Sequence, residues 1–307
     1  MKSIVKNGVA AIVVCYFPED VVVVKLLKIL ALQVEYLILV DNGGALEISK
    51  DISFDNGNFS YINLDGNKGL GYALNVGFKR AVDLGVKYVA TFDQDSAPSL
   101  DLIENLLVIH DDLRDKNVNC AAVAPVFYDR REATKIYFPF YYEKNGLINS
   151  VAPDTSLNDI VEVDVLITSG MLVRIDVWSS GISYDEGLFV DYTDTEWCFR
   201  VRSKGYKLFG CLRVEMGHAP SDAPPARVFG LSFFRYSPLR RYYYFRNSIN
   251  FIFAPYVSDV WKRRLLLGLF LRFFINLVID KKKFLSLKMM IVGIKHGFNG
   301  KNGEFIK

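Results

Sequence analysis

The chain is 307 residues long, 51% hydrophobic and 14% aromatic, which excludes a disordered protein and leaves room for one large α/β domain with an appendage. Its net charge of +3 hides an asymmetry: from residue 257 onward eleven Lys/Arg face Asp259, Asp280 and Glu304, so that tail carries +8 and residues 1–256 carry −5. A basic, apolar end on a mildly acidic body fits an anionic phosphate surface. No recognised nucleic-acid module accompanies it, so no nucleic-acid partner is expected.

The N-terminal stretch "MKSIVKNGVAAIVVCYFPED" places lysines before an apolar run, as a secretory signal does. The run is short, however, and ends in Pro18-Glu19-Asp20 without a small-residue cleavage site. "GVAAIVVCY" therefore reads as a buried first strand. Short apolar runs bounded by turn residues follow in "VEYLILVDNGG", "FSYINLDGNKG", "KYVATFDQDSAP" and "CAAVAPVFYD", the pattern of strands buried on both faces. Helix-length segments at 21–32, 71–84 and 100–114 lie between them, the last with Ser99 as N-cap. This alternation predicts a doubly wound, mainly parallel α/β sheet with right-handed crossovers, and ligands beyond the carboxyl ends of its strands. "YFPFYYEKNGLINSVAPDTSLND" reads as loop-rich, "IVEVDVLITSGMLVRIDVW" as strand-like, and the chain from "SPLRRYYYFRNSINFI" onward as helical, aromatic and basic. The cysteines (15, 120, 198, 211) form no CxxC pair and read as reduced thiols of a cytoplasmic protein.

Asp93 and Asp95 fall at the end of an apolar strand, where residues i and i+2 project together. Two carboxylates that close repel unless one is protonated or a cation sits between them. They fit a Mg²⁺ or Mn²⁺ site that also holds substrate phosphates, or a solvated turn before the next helix. "NKGLGYALNVGFKRA" opens a helix with Gly69 and Gly71, where exposed N–H groups admit a phosphate or ribose or the chain merely turns tightly. Asp41 in "VDNGG" fits a base or ribose contact, or an Asx turn. In "VDYTDTEWCFR", Thr193 and Glu196 match a capping box, and Glu196 and Arg200 an i,i+4 pair. Asp191 and Asp194 remain, and a carboxylate held ionised at a helix N-terminus suits a general base. His218 is a lone histidine, structural or a ligand. The apolar run 265–279 has fifteen residues with Arg272 inside, too few for the ~20 a spanning helix needs. Its Lys/Arg flanks fit a helix lying in the membrane interface, or else a helix packed on the body.

In this order, "VVCYFP", "VDNGG", "NKGLGYALNVGFKRA", "TFDQDSAP", "ITSGMLVR", "FVDYTDTEWCFRVRSKGYKL", "GH" and "YYYFRN" resemble family 2 glycosyltransferases of the GT-A fold, specifically bacterial rhamnosyltransferases of O-antigen assembly. The resemblance implies an inverting transfer from a nucleotide sugar, dTDP-L-rhamnose, to an undecaprenyl-diphosphate-linked glycan. It implies that Asp41, Asn67, Gly69, Gly71 and Asp93 bind the donor, and that Asp95 and His218 hold Mg²⁺ or Mn²⁺. Asp194 falls on the family's base position, with Thr193 replacing the usual Glu and Asp191 as a nearby second carboxylate. Thr168 and Ser169, on the acceptor-side strand, would contact the acceptor. Arg246 and Asn247, with Arg240 and Arg241, would face its diphosphate. Residues 1–250 would form the catalytic domain and 251–307 a helical membrane-associating extension, peripheral on the cytoplasmic face of the inner membrane. The alternative is an inactive GT-A-like scaffold of a polysaccharide-assembly complex.

Overall fold

The structure, a computed structural model, describes residues 8–51, 57–129, 135–156, 158–218, 223–228 and 231–306. In chain order it contains β1 (Val9–Cys15), α1 (Asp20–Ala31), β2 (Tyr36–Asp41), α2 (Leu46–Asp51), β3 (Phe59–Asn63), α3 (Leu70–Asp83), β4 (Tyr88–Asp93), α4 (Leu102–Asp115), β5 (Cys120–Asp129), β6 (Tyr137–Phe138), β7 (Phe140–Lys144), β8 (Leu147–Val151), β9 (Ile160–Val163), β10 (Met171–Arg174) and α5 (Ile175–Ser179). A 3₁₀ turn (Glu186–Leu188), α6 (Thr193–Ser203), β11 (Lys207–His218), β12 (Ala223–Val228), β13 (Leu231–Arg235), α7 (Pro238–Ile252), α8 (Asp259–Ile279) and α9 (Lys283–Phe298) follow.

The main sheet runs β3-β2-β1-β4-β10-β5-β11-β9. β3, β2, β1 and β4 are parallel, as are β5 and β11, whereas β10 and β9 run antiparallel to their neighbours. Along β1, Ala10, Ile12 and Val14 face α3 and α6, while Ala11 and Val13 face α1 and α4. Both faces are dry, which is why these strands read as continuous apolar runs. The expected helices appear within two residues of their predicted ends. Ser99 is not the cap of α4; Asp101 takes that place, and Ser99 Oγ donates to its carboxylate at 2.6 Å. The segment read as loop-rich holds the β7–β8 hairpin instead. Asn145 and Gly146 both have positive φ, 54° and 72°, the turn pair that right-twisted strands favour.

Two features carry side chains to the carboxyl edge of the sheet. Because β10 is antiparallel, the residues leading into it meet the end of β4, with Gly170 N donating to Thr91 O at 2.7 Å. β11 slips against β5 beside Pro125, so that Glu215 follows Cys211 in the pairing and His218 lies beside Asp129. Pro125 has no N–H to give the ladder, and a bulge is the ordinary response. At the C-terminal end α9 packs on α7 through Gly293 and Gly297, where any Cβ would stand 2.5 Å from Tyr242 O and 2.8 Å from Arg246 O respectively. α7 itself runs through the boundary expected at residue 250. The four cysteines are buried free thiols, and burial pushes that of Cys15 up to about 12.

Candidate active site

β4 ends at Asp93 and the chain turns at once, so Asp95 does not project from an extended strand as expected. Ser96 closes the turn, its N and Oγ donating to Asp93 O at 3.1 and 2.8 Å. Gln94 folds back to accept from Tyr16 N at 2.7 Å, tying the ends of β1 and β4 together. The two carboxylates meet through His218 from β11: Nε2 lies 3.6 Å from Asp93 Oδ2 and Nδ1 lies 3.4 Å from Asp95 Oδ1. One ligand atom from each of the three lies within 4.8 Å of the others. The two separations are long for direct hydrogen bonds, and the three groups are close enough for one ring nitrogen and one oxygen from each carboxylate to share an ion. Two carboxylates and one imidazole suit Mn²⁺, and Mg²⁺ less fully because it favours oxygen alone. Burial pushes the Asp93 carboxyl up, His218 pulls it down, and the Asp95 charge raises it again.

Asp194 stands in the first turn of α6. Oδ1 accepts from Thr195 N at 2.7 Å and Oδ2 from Thr168 N at 3.3 Å, so the approach to β10 delivers a backbone donor to it. Its carboxyl is raised rather than held down: burial outweighs the Thr195 amide bond, and the Asp93 charge adds to the rise. That reverses the expectation from the helix terminus, because desolvation disfavours the charged carboxylate more than its hydrogen bonds favour it. The raised value moves Asp194 toward the range in which a general base works. Thr168 and Ser169 are both buried. Thr168 O accepts from Thr91 Oγ1 at 2.5 Å, while Ser169 Oγ bonds Ser96 Oγ, so the pair joins the Asp93 turn to Asp194.

The capping box is not formed. Tyr192, left-handed with φ 67°, is the N-cap, and Thr193 Oγ1 is buried with no hydrogen-bond partner among the described residues. Glu196 instead binds Arg200 through Nε at 2.6 Å and Nη2 at 2.9 Å, and accepts from Tyr256 at 2.6 Å.

On the donor side, both oxygens of Asp41 are occupied by the protein. Oδ1 accepts from Gly43 N (2.8 Å) and Ala45 N (3.0 Å), and Oδ2 from Tyr61 (2.7 Å), so the Asx-turn reading holds locally. Asn42, which the sequence reading passed over, binds Asn67 Oδ1 at 3.1 Å and accepts from Lys68 N at 2.7 Å. Its signal was its place beside Asp41 at a strand end. Gly69 and Gly71 allow a close approach, but to chain rather than phosphate: a Cβ would stand 2.7 Å from Phe189 O and from Asp185 O respectively. Gly69 N donates to Asn67 Oδ1 and Leu70 N to Phe189 O, so these amides are taken.

Arg246 and Asn247 do not face an acceptor. Both are 0% exposed. Arg246 donates to Gly187 O, Leu188 O and Gly303 O at 3.1, 2.7 and 2.5 Å, and Asn247 Nδ2 to Leu188 O, Val190 O and Asp191 O at 2.9, 2.7 and 2.9 Å. They clamp the loop before α6, where Phe189, Asp191 and Tyr192 all have φ near +60°, a state that costs of order 1–3 kcal/mol each without such support. Arg241 is likewise buried, paired with Asp280 at 2.8 Å. Arg240 alone of the four expected diphosphate contacts borders the acidic cluster: it holds Asp191 at 3.1 Å, stacks on Tyr236, and lowers the Asp93 carboxyl by its charge. No sequence signal separates a clamping arginine from a ligand-facing one.

Residues 11–161 match the profile described as Glycosyl transferase family 2. Over 298 residues, 97% of each chain, the protein is 29% identical to the dTDP-rhamnosyl transferase RfbF of Shigella flexneri. Among solved structures it superposes on S. aureus TarS 1-349 in complex with UDP-GlcNAc with a TM-score of 0.59 at 15% identity, covering 95% of this chain and 81% of that one. GalNAc-T7 with UDP, GalNAc and Mn²⁺ gives 0.57 at 13% identity, covering 83% of this chain and 53% of that one, about half its length. The ordered motifs, the mainly parallel sheet and these matches agree: residues 11–161 match family 2 glycosyltransferases, within a chain that has a GT-A-like fold and a helical C-terminal region.

Proposed function

We propose that the protein transfers L-rhamnose from dTDP-L-rhamnose, with inversion, onto a lipid-linked O-antigen intermediate at the cytoplasmic face of the inner membrane. The observation that carries the reading is the acidic edge itself: Asp93, Asp95 and His218 beside a half-buried Asp194 whose carboxyl is raised. Asp194 takes the proton of the acceptor hydroxyl while that oxygen attacks the anomeric carbon from the face opposite the leaving group. Asp95 and His218, with Asp93, would hold a divalent cation, and such an ion offsets charge on a departing nucleoside diphosphate. Asn67 and Asp41 shape the donor side, Asp41 by setting the β2 turn and Asn67 through Asn42. Thr168 and Ser169 set the position of Asp194 relative to β4. Asp191 is better suited to holding Arg240 than to taking a proton. The donor's identity rests on the Shigella relative, and the lipid-linked acceptor on the family resemblance and the basic tail. Residues 251–307 serve as the membrane-associating part of the enzyme built on 1–250.

The test is product mass spectrometry with dTDP-L-rhamnose, other dTDP-sugars and UDP-sugars against a lipid-linked acceptor pool, in Mn²⁺, Mg²⁺ or EDTA. A rhamnosyl mass gain from dTDP-L-rhamnose that EDTA abolishes is expected. Transfer of a different sugar replaces the donor assignment, and no transfer or donor hydrolysis at all supports the scaffold.

A further inference from the structure

No helix among the described residues is long and apolar enough to cross a membrane, yet α8 is apolar on two sides. Its inner side packs Leu269 against Phe245, Ile249 and Met290, with Phe273 and Leu277 alongside. On its outer side Leu266, Leu267, Phe270, Leu271, Phe274 and Val278 recur at helical spacing and are each half or more exposed, Leu267 62%, Phe270 60% and Val278 68%. Phe284, in the first turn of α9 that follows in the chain, is 90% exposed. A water-facing helix ordinarily carries charge there, and a contiguous apolar patch of this kind marks an interaction surface.

Arg272 interrupts this run in the sequence but not in space. It turns inward and lies 5.1 Å from the ring of Tyr244. Charge stands at the ends of the stripe instead: Arg263 and Arg264 are exposed at one, and Lys281, Lys282 and Lys283 at the other. Asp280, the acid nearest those lysines, is buried against Arg241. This arrangement selects the occupant. A second copy laid antiparallel on α8 would set arginines against lysines, and a parallel copy would set each cluster against itself. Anionic headgroups at both ends of a helix lying in the plane of the bilayer neutralise both clusters while the apolar stripe leaves water.

We infer that the outer face of α8, with Phe284, is the surface by which the protein sits on an anionic lipid bilayer, helix in plane and Lys281–Lys283 among the headgroups. This deepens the proposal of a lipid-linked acceptor, and it is tested apart from it, on vesicles containing neither donor nor acceptor. Deleting the tail is unsuitable, because Gly303 and Phe305 bond Arg246 and Tyr243 under the active-site loop. Point substitutions are used instead.

Sedimentation with phosphatidylglycerol/phosphatidylethanolamine vesicles is compared for wild type, the triple variant Phe270→Gln, Leu271→Gln, Phe274→Gln, and the triple variant Lys281→Gln, Lys282→Gln, Lys283→Gln. Wild type should bind, more weakly at high salt and on phosphatidylcholine alone. The stripe variant should lose at least about tenfold in partitioning on every vesicle. The lysine variant should lose about fivefold per lysine on anionic vesicles at low salt, with little change on neutral ones. Unfolding midpoints near wild type show that both variants fold. Wild-type binding matched by the stripe variant assigns the membrane to another face. No wild-type binding, or a solution dimer that the stripe variant dissociates, overturns the inference, the dimer assigning the face to a second copy. None of these outcomes depends on which sugar is transferred.

Discussion

Asp93 and Asp95 take their places from the end of one strand and the turn that follows it, whereas Asp191 and Asp194 take theirs from a helix and a tail far along the chain. The first pair needs β4, the Ser96 turn and the register of β11, all parts of one sheet. The second pair lies in and just after a loop with three left-handed non-glycine residues, Asp191 among them, that no local propensity favours. Arg246, Asn247 and the carbonyl of Gly303 hold it. The comparison teaches that one half of the site is built by secondary structure and the other by tertiary clamping. The two halves should therefore fail differently, one in chemistry alone and the other in chemistry and stability together.

The largest effect is expected at the turn that leaves the sheet. Asp95→Ala should cost about 10³-fold or more in transfer, from the several kcal/mol a bound cation supplies. Donor affinity in that variant should no longer respond to Mn²⁺, while the unfolding midpoint stays near wild type. Full transfer by the wild type in EDTA removes the metal from the mechanism.

On the clamped side, Asp194→Asn should lower turnover by about 10²–10⁴-fold and leave donor affinity unchanged. Because burial raises the Asp194 carboxyl and a base in the proposed role acts deprotonated, turnover should fall as pH drops through that raised value. The Asn variant should lack this limb. Asp191→Asn should lose less turnover but more stability, since Arg240 then faces an amide. A reversed order of turnover losses moves the base role to Asp191.

Asn247→Leu probes the clamp directly. It removes the Asn247 donor from the carbonyls of Val190 and Asp191, at about 1–3 kcal/mol for each group left unsatisfied, while Leu188 O keeps Arg246 Nη2. Misplacing the loop by an ångström should also cost about 10²-fold in kcat. Calorimetry and single-turnover rates measure both. A destabilised variant with wild-type kcat shows that the clamp does not position the base.

Smaller effects separate the observed start of α6 from the capping box. Glu196→Gln should cost about 1–3 kcal/mol by weakening the charged bonds to Arg200 and Tyr256, where a mere N3 cap would tolerate glutamine. Thr193→Val should be close to neutral in denaturant unfolding, because its hydroxyl makes no bond to lose. A loss of ~1 kcal/mol there restores Thr193 as the cap.

The order of strands and helices, the buried sheet and the acidic strand ends were legible in the sequence, because a strand dry on both faces must be written as an apolar run and its ends must be polar. "DQDS" and "DTEWCFR" stood out for the same reason: they are local, and the fold brings Asp93 and Asp194 close enough for their charges to interact. The conformation of Asp95 was not legible, since it depends on where β4 stops. The roles of Arg246 and Asn247 were equally hidden, since a guanidinium aimed at backbone carbonyls and one aimed at a phosphate are the same letters. Gly69 and Gly71 read as room for a ligand, and only the loop packed over α3 decided that the room is taken by Asp185 and Phe189. Along α8 the fold overruled the order of residues in the same way, turning Arg272 onto Tyr244. Periodicity along one chain encodes which residues are buried, whereas partners brought together across long loops are set by packing and hydrogen-bond satisfaction, which exist only once the chain has closed.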